Sequence, residues 1–582
     1  MKINFKNEIK PEDKITSEKI VNLILENREI KNIEEFLNPK SPLDINLSDF
    51  GFKKEIKKTL PLLEKIKKQG KTVVVYTDYD ADGISGGAIL WETLYLLGFK
   101  VMPYVPHRHR EGYGFSVKGI DNVKKQFEPA LIISVDHGIT KIKEVDYAKK
   151  IGIKIIITDH HLKQEKIPKA EAIFHIPELS GSGVAYFFAK EIFAYLNNQA
   201  GGSTSAVEEE RSDGKTAKVK RLAENFLSDY LSLAAIGTVA DLVPLVGPSR
   251  SIAKYGLEAF SKVKRYGLKH ILKEAGIEGK KITPYEVGFM IAPRLNAVGR
   301  LEHAIDALRL LCTTDETRAK HLASQLSDKN RERQDLVKSS LEEAKKILLK
   351  MMSTKQADLK TPAPKIIILT SKTWNEGIIG LIASKISEEF YRPTLVLTKT
   401  DGVYKGSARS IPGFDITSFI RSLNKKNLLV DVGGHPQAAG FTLDENKLNL
   451  FVTTAINRLG KIIKDKDLEK KIEIDIKIPL SKISIKLAKE LEKLAPFGVG
   501  NPRPTFFSQG ELINAKIFGK NNEHLKIYLK DKFVYEFISF NSASEFSHLS
   551  RGKIIEVIYR LEIDRWGGNE RLRGIVQHLD LL

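Results

Sequence analysis

The hydrophobic positions of the chain gather in short β-branched runs separated by amphipathic stretches. Four such runs, "KTVVVYTD", "FKVMPYVP", "ALIISVD" and "IKIIITD", fall between residues 71 and 159, and patterns such as "SGGAILWETLYLLG" and "KIKEVDYAKKIG" lie between them. Short buried strands alternating with helices predict βαβ units and a mainly parallel sheet, because parallel neighbours need a crossover. Residues 1 to about 68 read as a preface of short helices and turns with solvated charges. From Glu316 to Met352 runs a polar helix long enough to bridge two bodies. After the linker "STKQADLKTPAPK", the runs "IIILT", "GIIGLIASKISEEF" and "PTLVLT" predict a second α/β region. Beyond about residue 465 the text is rich in strands and turns, and an antiparallel barrel such as an OB-fold is expected. The stretch "NNQAGGSTSAVEEERSDGKTAKVKR", from Asn197 to Arg221, has too few apolar residues to pack and reads as a mobile surface insertion.

At 582 residues the chain is too long for one core. Lys and Arg outnumber Asp and Glu for a net charge of +20, which favours a polyanionic partner, nucleic acid before anionic membrane. A single cysteine, Cys312, excludes internal disulfides and cysteine-based zinc clusters and fits a reducing compartment. The N-terminus lacks the apolar core of a signal peptide, and no run of about 18 apolar residues occurs. A cytoplasmic protein without membrane association is expected.

Three of the apolar runs end in acids: "VVVYTDYDAD", "LIISVDHG" and "IKIIITDHH". Parallel strands align their C-terminal ends along one edge, where open α/β folds bind ligands. Asp78, Asp80, Asp82, Asp136, Asp159, His160 and His161 would then converge. An Asp after a strand commonly just caps the next helix, and a lone His is usually satisfied in a core. The same habit at three strand ends, with a His pair, favours chemistry. Oxygen ligands with one or two imidazoles and no thiolate suit Mn²⁺ or Mg²⁺, and a pair of such ions would make the acid crowding tolerable. Asp241, inside the apolar "LAAIGTVADLVPL", is a further candidate ligand, with a capping or turn role as its plain alternative. In "KGSARSIPG", backbone amides, the Ser407 hydroxyl and the Arg409 guanidinium suit a terminal phosphate, and "GGHPQAAG" adds Gly433, Gly434 and His435.

The ordered set "DYDADG", "SVDHG", "TDHH", "GTVADLVPL" and "GGHPQAAGF" resembles the DHH phosphoesterase superfamily with its DHH-associated domain. "PHRHREGYGFS", "IAPRLNAVGRL", "GSARSIPGFD" and "LAPFGVGNPRPTF" resemble, more narrowly, its bacterial RecJ-type single-strand-specific exonucleases. The resemblance implies a DHH catalytic domain over 69–312, a connecting helix over 313–352, a DHH-associated domain over 353–464 and an OB-like nucleic-acid-binding domain over 465–582. It implies two divalent metal ions held by Asp80, Asp82, Asp136, His160 and Asp241, with Asp136 bridging and Asp78 either a ligand or a loop-shaping residue. His161 would face the scissile phosphate and Asp159 would orient the imidazoles. Arg108, Arg294, Asn296 and Arg300 occupy family positions that hold substrate phosphates and brace the site. The implied activity is 5′-to-3′ release of mononucleotides from single-stranded DNA in repair and recombination, with a single-strand-binding protein and a helicase as companions. A phosphodiesterase for short oligonucleotides or cyclic dinucleotides and a silent replication scaffold are the alternatives. His137, Asn375, Thr77 and the shortened segment 171–183 depart from the family pattern, and His137 stands where it would add a ligand or tune the site.

Overall fold

The structure is a computed structural model that describes residues 2–112, 114–199, 214–353, 364–424 and 427–581. Two compact units divide the chain: residues 1–3 with 328–472, and residues 4–327 with 473–582.

The preface opens not with a helix but with strand β1 (Lys2–Glu8), which lies at one edge of the C-terminal sheet. The helices that follow are not an independent layer either. Ile20, Val21, Ile24, Leu25 and Phe36 bury with Ile476, Phe506 and Leu512 of the C-terminal core, while Leu60, Leu63 and Ile66 of helix Lys53–Lys68 join the core around a parallel sheet.

That sheet consists of β2 (Val73–Thr77), β3 (Val101–Tyr104), β4 (Leu131–Val135), β5 (Lys154–Asp159) and β6 (Ala172–His175), all parallel in the order β3-β2-β4-β5-β6. Every residue of β2 and β4 is buried, as expected for strands covered on both faces. Pro103 is tolerated because β3 is an edge strand. The chain leaves β2 for β3 on one side and returns to β4 on the other, so the topological switch point lies where β2 and β4 end.

In the smaller unit, β7 (Ile367–Ser371), β8 (Thr394–Thr400), β9 (Val403–Arg409), β10 (Asp431–His435) and β11 (Ala438–Asp444) form a mixed sheet in the order β10-β11-β9-β8-β7. Helix Glu316–Ser353, 38 residues and about 57 Å at 1.5 Å per residue, leaves one unit and enters the other. The C-terminal strands are β12 (Lys471–Lys477), β13 (Phe506–Phe518), β14 (His524–Lys530), β15 (Val534–Ser539), β16 (Ile554–Asp564) and β17 (Arg571–Leu581). β13-β14-β15-β17-β16 pair in sequence, and β16 pairs back to β13, closing a five-stranded barrel of OB type.

Helices Gly181–Gln199 and Gly214–Leu227 enter the expected insertion from both sides, so its ends are ordered helix. Residues 200–213 lie outside the described residues. Arg250, in helix Gly247–Ala259, shows how the pieces of the larger unit are joined. Its side chain is 1% exposed, stacks 3.8 Å from the Phe36 ring, and donates to the carbonyls of Phe36, Leu494, Ala495 and Pro496.

Candidate metal centre

The acids predicted from the strand ends meet at the C-terminal edge of β2, β4 and β5. Asp80 N-caps helix Ala81–Leu96: its Oδ1 accepts from the amides of Asp82 (3.0 Å) and Gly83 (3.1 Å). The plain capping role and a place in the cluster therefore belong to the same side chain. Asp78 Oδ1 accepts from Tyr79 N, and Gly83 is required beside it, since a Cβ there would lie 2.7 Å from Asp78 Cβ.

Asp82 faces the start of helix Gly181–Gln199, whose first amides, Gly181 N (2.6 Å) and Ser182 N (2.9 Å), donate to its two oxygens. A carboxylate at a helix N-terminus is stabilised by unpaired amides and by the macrodipole. Asp136 follows β4 with φ 69°, an uncommon left-handed conformation for a non-glycine residue. Gly181 allows this too, because a Cβ there would lie 2.4 Å from Asp136 Oδ1.

Three groups of side chains bring ligand atoms within 4.8 Å of one another: Asp78, Asp80 and Asp136; Asp82, His160 and Asp241; Asp136, His160 and His161. Asp136 and His160 each belong to two. His160 Nε2 lies 3.1 Å from Asp136 Oδ1 and 3.4 Å from Asp241 Oδ2. Among the described residues, neither His160 Nε2 nor Asp136 Oδ1, both buried, has a protein partner in hydrogen-bond geometry. Buried polar atoms are seldom left so, and two aimed at one point fit a cation between them.

Charge tells the same story. Burial, then the charges of Asp82, Asp80 and Asp78, drives the Asp136 carboxyl well above its ordinary range. Burial and Asp82 raise Asp80, and burial with Asp82 and Asp80 pushes Asp241 up to about 8. Burial lowers His160, which favours the neutral imidazole that ligates metals. Burial opposes a charged His161, but the hydrogen bond and charge of Asp159 outweigh it and raise the imidazole to about 9. Asp159 itself is buried, yet hydrogen bonds from His161 and Ile139 hold it below the usual carboxylate range. Its oxygens accept from His160 N, His161 N, His161 Nδ1 (2.8 Å) and Ile139 N, so this one carboxylate fixes both imidazoles in place.

Other expected residues distribute unevenly. Arg108 lies over the Tyr79 ring at 5.5 Å, and Arg300 acts electrostatically on the same tyrosine, so both border the acidic loop. Arg294 instead donates to Ser327 Oγ and to the carbonyls of Met290 and Glu274, which makes it a brace between helices. Asn296 Oδ1 accepts from Ala81 N at 2.6 Å and so steadies the acidic loop. His137 adds no ligand to the cluster: it is buried between Tyr76 and Phe115, with Nε2 3.1 Å from Tyr76 O. Thr77 Oγ1 donates to Asp78 O. In the smaller unit, Arg409 Nη1 donates to Ser407 Oγ (3.1 Å), Gly434 takes φ 143°, and His435 is exposed on β10. Asn375 Oδ1 accepts from Gly377 N, a local turn bond.

Gly181, Ser182, Gly237 and Ser384 also shape these sites without standing out in the sequence. Gly237 lies where a Cβ would stand 2.0 Å from Asp82 Oδ1, and Ser384 Oγ accepts from Arg409 Nε at 3.0 Å. Only the glycines carried a local signal, since small residues mark close approach.

Residues 72–238 match the DHH family, N-terminal domain; residues 363–461 match the DHHA1 domain; residues 474–578 match the RecJ OB domain. The single-stranded-DNA-specific exonuclease RecJ of Thermus thermophilus is 32% identical over 536 residues, covering 91% of this chain and 71% of the relative. Its Bacillus subtilis counterpart is 32% identical over 545 residues, and the chain spans 63% of that relative's length. The crystal structure of RecJ from Thermus thermophilus in complex with Mn²⁺ superimposes with a TM-score of 0.78 at 27% identity, covering 100% of this chain and 79% of that one. The corresponding Mg²⁺ complex gives 0.70 at 26% identity, covering 99% and 78%. With its DHH sheet, its DHHA1 unit and its closed barrel all matched in order, the chain belongs to the RecJ family.

Proposed function

We infer that the protein is a single-stranded-DNA-specific exonuclease that works with two divalent cations, Mn²⁺ or Mg²⁺. One observation carries this reading: the cluster of Asp78, Asp80, Asp82, Asp136, His160 and Asp241 at the switch point, buried at Asp78, Asp82 and Asp136 and open to solvent at Asp241, with two aimed ligand atoms left without hydrogen bonds among the described residues. These six residues would hold the ions, and Asp136, shared between two of the groups, would serve both. Two divalent cations held there would neutralise the acids and would supply Lewis-acid chemistry for phosphodiester hydrolysis. His161, kept protonated by Asp159, would offer a positive N–H to the scissile phosphate. Arg108 and Arg300 would hold backbone phosphates, and Arg294 and Asn296 would brace the loop.

Ser407, Arg409, Gly434 and His435 would take a 5′-terminal phosphate, which gives 5′-to-3′ release of mononucleotides in repair and recombination. Such a substrate calls for a helicase to expose the strand and a single-strand-binding protein to keep it open, in the cytoplasm. Among the described residues no helix is long and apolar enough to cross a membrane. The complete ligand set speaks against a silent scaffold, and the barrel speaks against a substrate as small as a dinucleotide.

The test is incubation of 5′-labelled single strands with pure protein and Mn²⁺, beside duplex, circular and dinucleotide substrates. Labelled mononucleotide should appear from linear single strands. An intact 5′ label, or faster turnover of dinucleotides than of long strands, would overturn the reading.

A further inference from the structure

We propose that Ser384 and Gly380, one turn apart on helix Ile379–Phe390, are positioning residues that set Arg409 to receive a terminal phosphate. This rests on the reading of Arg409 as a phosphate-binding residue. Its backbone is fixed, since it pairs with Thr394 of β8 on one side and Ala438 of β11 on the other. Only the side chain is left to aim. Nε donates to Ser384 Oγ at 3.0 Å, while Nη1 donates to Ser407 Oγ at 3.1 Å and to its neighbour's carbonyl, Ala408 O, at 2.8 Å. Nη2 passes over Gly380, where a Cβ would stand 3.0 Å away and also 3.1 Å from Ser407 Oγ.

The electrostatics of this arrangement are lopsided. All three partners are neutral, and burial lowers the guanidinium pKa, with no carboxylate among the described residues acting to raise it. The group is also held against the first turn of a helix, whose end carries partial positive charge. A buried cation facing a positive helix end is unfavourable by itself and favourable around an anion. A phosphate monoester carries about −1.5 to −2 at neutral pH, against −1 for an internal diester, so the seat favours a strand end over a strand interior.

Ser384→Ala, Ser384→Thr, Gly380→Ala and Arg409→Ala should each be assayed on 5′-phosphorylated and 5′-hydroxyl single strands, with kcat and KM separated and melting temperatures compared. Loss of a hydrogen bond to a charged group is expected to lower the 5′-phosphate preference about tenfold in Ser384→Ala, through KM. Ser384→Thr should keep the preference, and Gly380→Ala, whose methyl displaces Nη2, should lose it. If Arg409→Ala loses the preference while Ser384→Ala and Gly380→Ala, both folded, retain it, the positioning role is overturned and the phosphate seat stands. If Arg409→Ala retains it, the underlying reading of Arg409 fails and the inference falls with it.

Discussion

At the scale of single residues, the site separates groups that would contact cations from groups that hold those contacts in place. Asp136 has an oxygen aimed into the cluster with no protein hydrogen bond, whereas Asp159 accepts four hydrogen bonds and faces away from ligand duty. Orienting groups of this kind typically cost about 10–100-fold in activity when changed. Asp159→Asn, which keeps the shape but loses the charge that sustains protonated His161, should fall in that range. Asp136→Ala should fall well below it while still binding single strands in a metal-free gel-shift assay. Equal activity losses for the two variants would contradict the division of roles. Asp78, Asp80, Asp82, Asp136 and Asp159 were legible because each stands at or just after a strand end marked by local pattern, whereas Asp241 caps the C-terminus of helix Asp229–Ala240 and stood out only as a charge in an apolar run. The fate of His137 was not: its letter sits beside Asp136, but the ring turns into the Tyr76 and Phe115 pocket, a choice made by packing.

At the scale of elements, the site depends on helix ends and close approaches that no local stretch of sequence encodes. The amides that hold Asp82 come from residues 181 and 182, about a hundred positions later, and become its partners only when helix Gly181–Gln199 docks. Helix Asp229–Ala240 approaches from the other side, and Gly237 is the point of contact. A methyl at Gly237 would stand 2.0 Å from Asp82 Oδ1 and 2.1 Å from Ser182 Oγ. Helix and carboxylate cannot both keep their places around it, and overpacking of this kind costs about 1–3 kcal/mol. Gly237→Ala should therefore lower the melting temperature and also remove most of the stabilisation that Mn²⁺ confers on the unchanged protein. A variant that melted early but kept the full Mn²⁺ response would show that Asp82 tolerates the shift. Strand β1 illustrates the same limit: its seven residues carry no strong alternation, and the strand exists because an edge of the C-terminal sheet is there to receive it.

At the scale of the whole molecule, the acid cluster ties the stability of the larger unit to pH and to divalent cations. In a carboxyl whose folded pKa lies above its unfolded value, the unfolded chain ionises first, so stability is intact at low pH and is lost as pH rises through the folded value. Asp80, Asp136 and Asp241 all shift this way, Asp241 to about 8 and Asp136 well above its ordinary range. His161, raised to about 9, loses its contribution in the same direction, while lowered His160 and lowered His137 oppose it. Chelator-treated protein should accordingly melt at a lower temperature at pH 8 than at pH 6. Cations compete with protons for the same oxygens, so Mn²⁺ binds the folded state more tightly at pH 8 and stabilises it by mass action. The rise in melting temperature on adding Mn²⁺ should then be larger at pH 8 than at pH 6, and Asp136→Ala should flatten the difference. A rise of equal size at both pH values in the unchanged protein would mean that the cations stabilise it somewhere other than at this cluster.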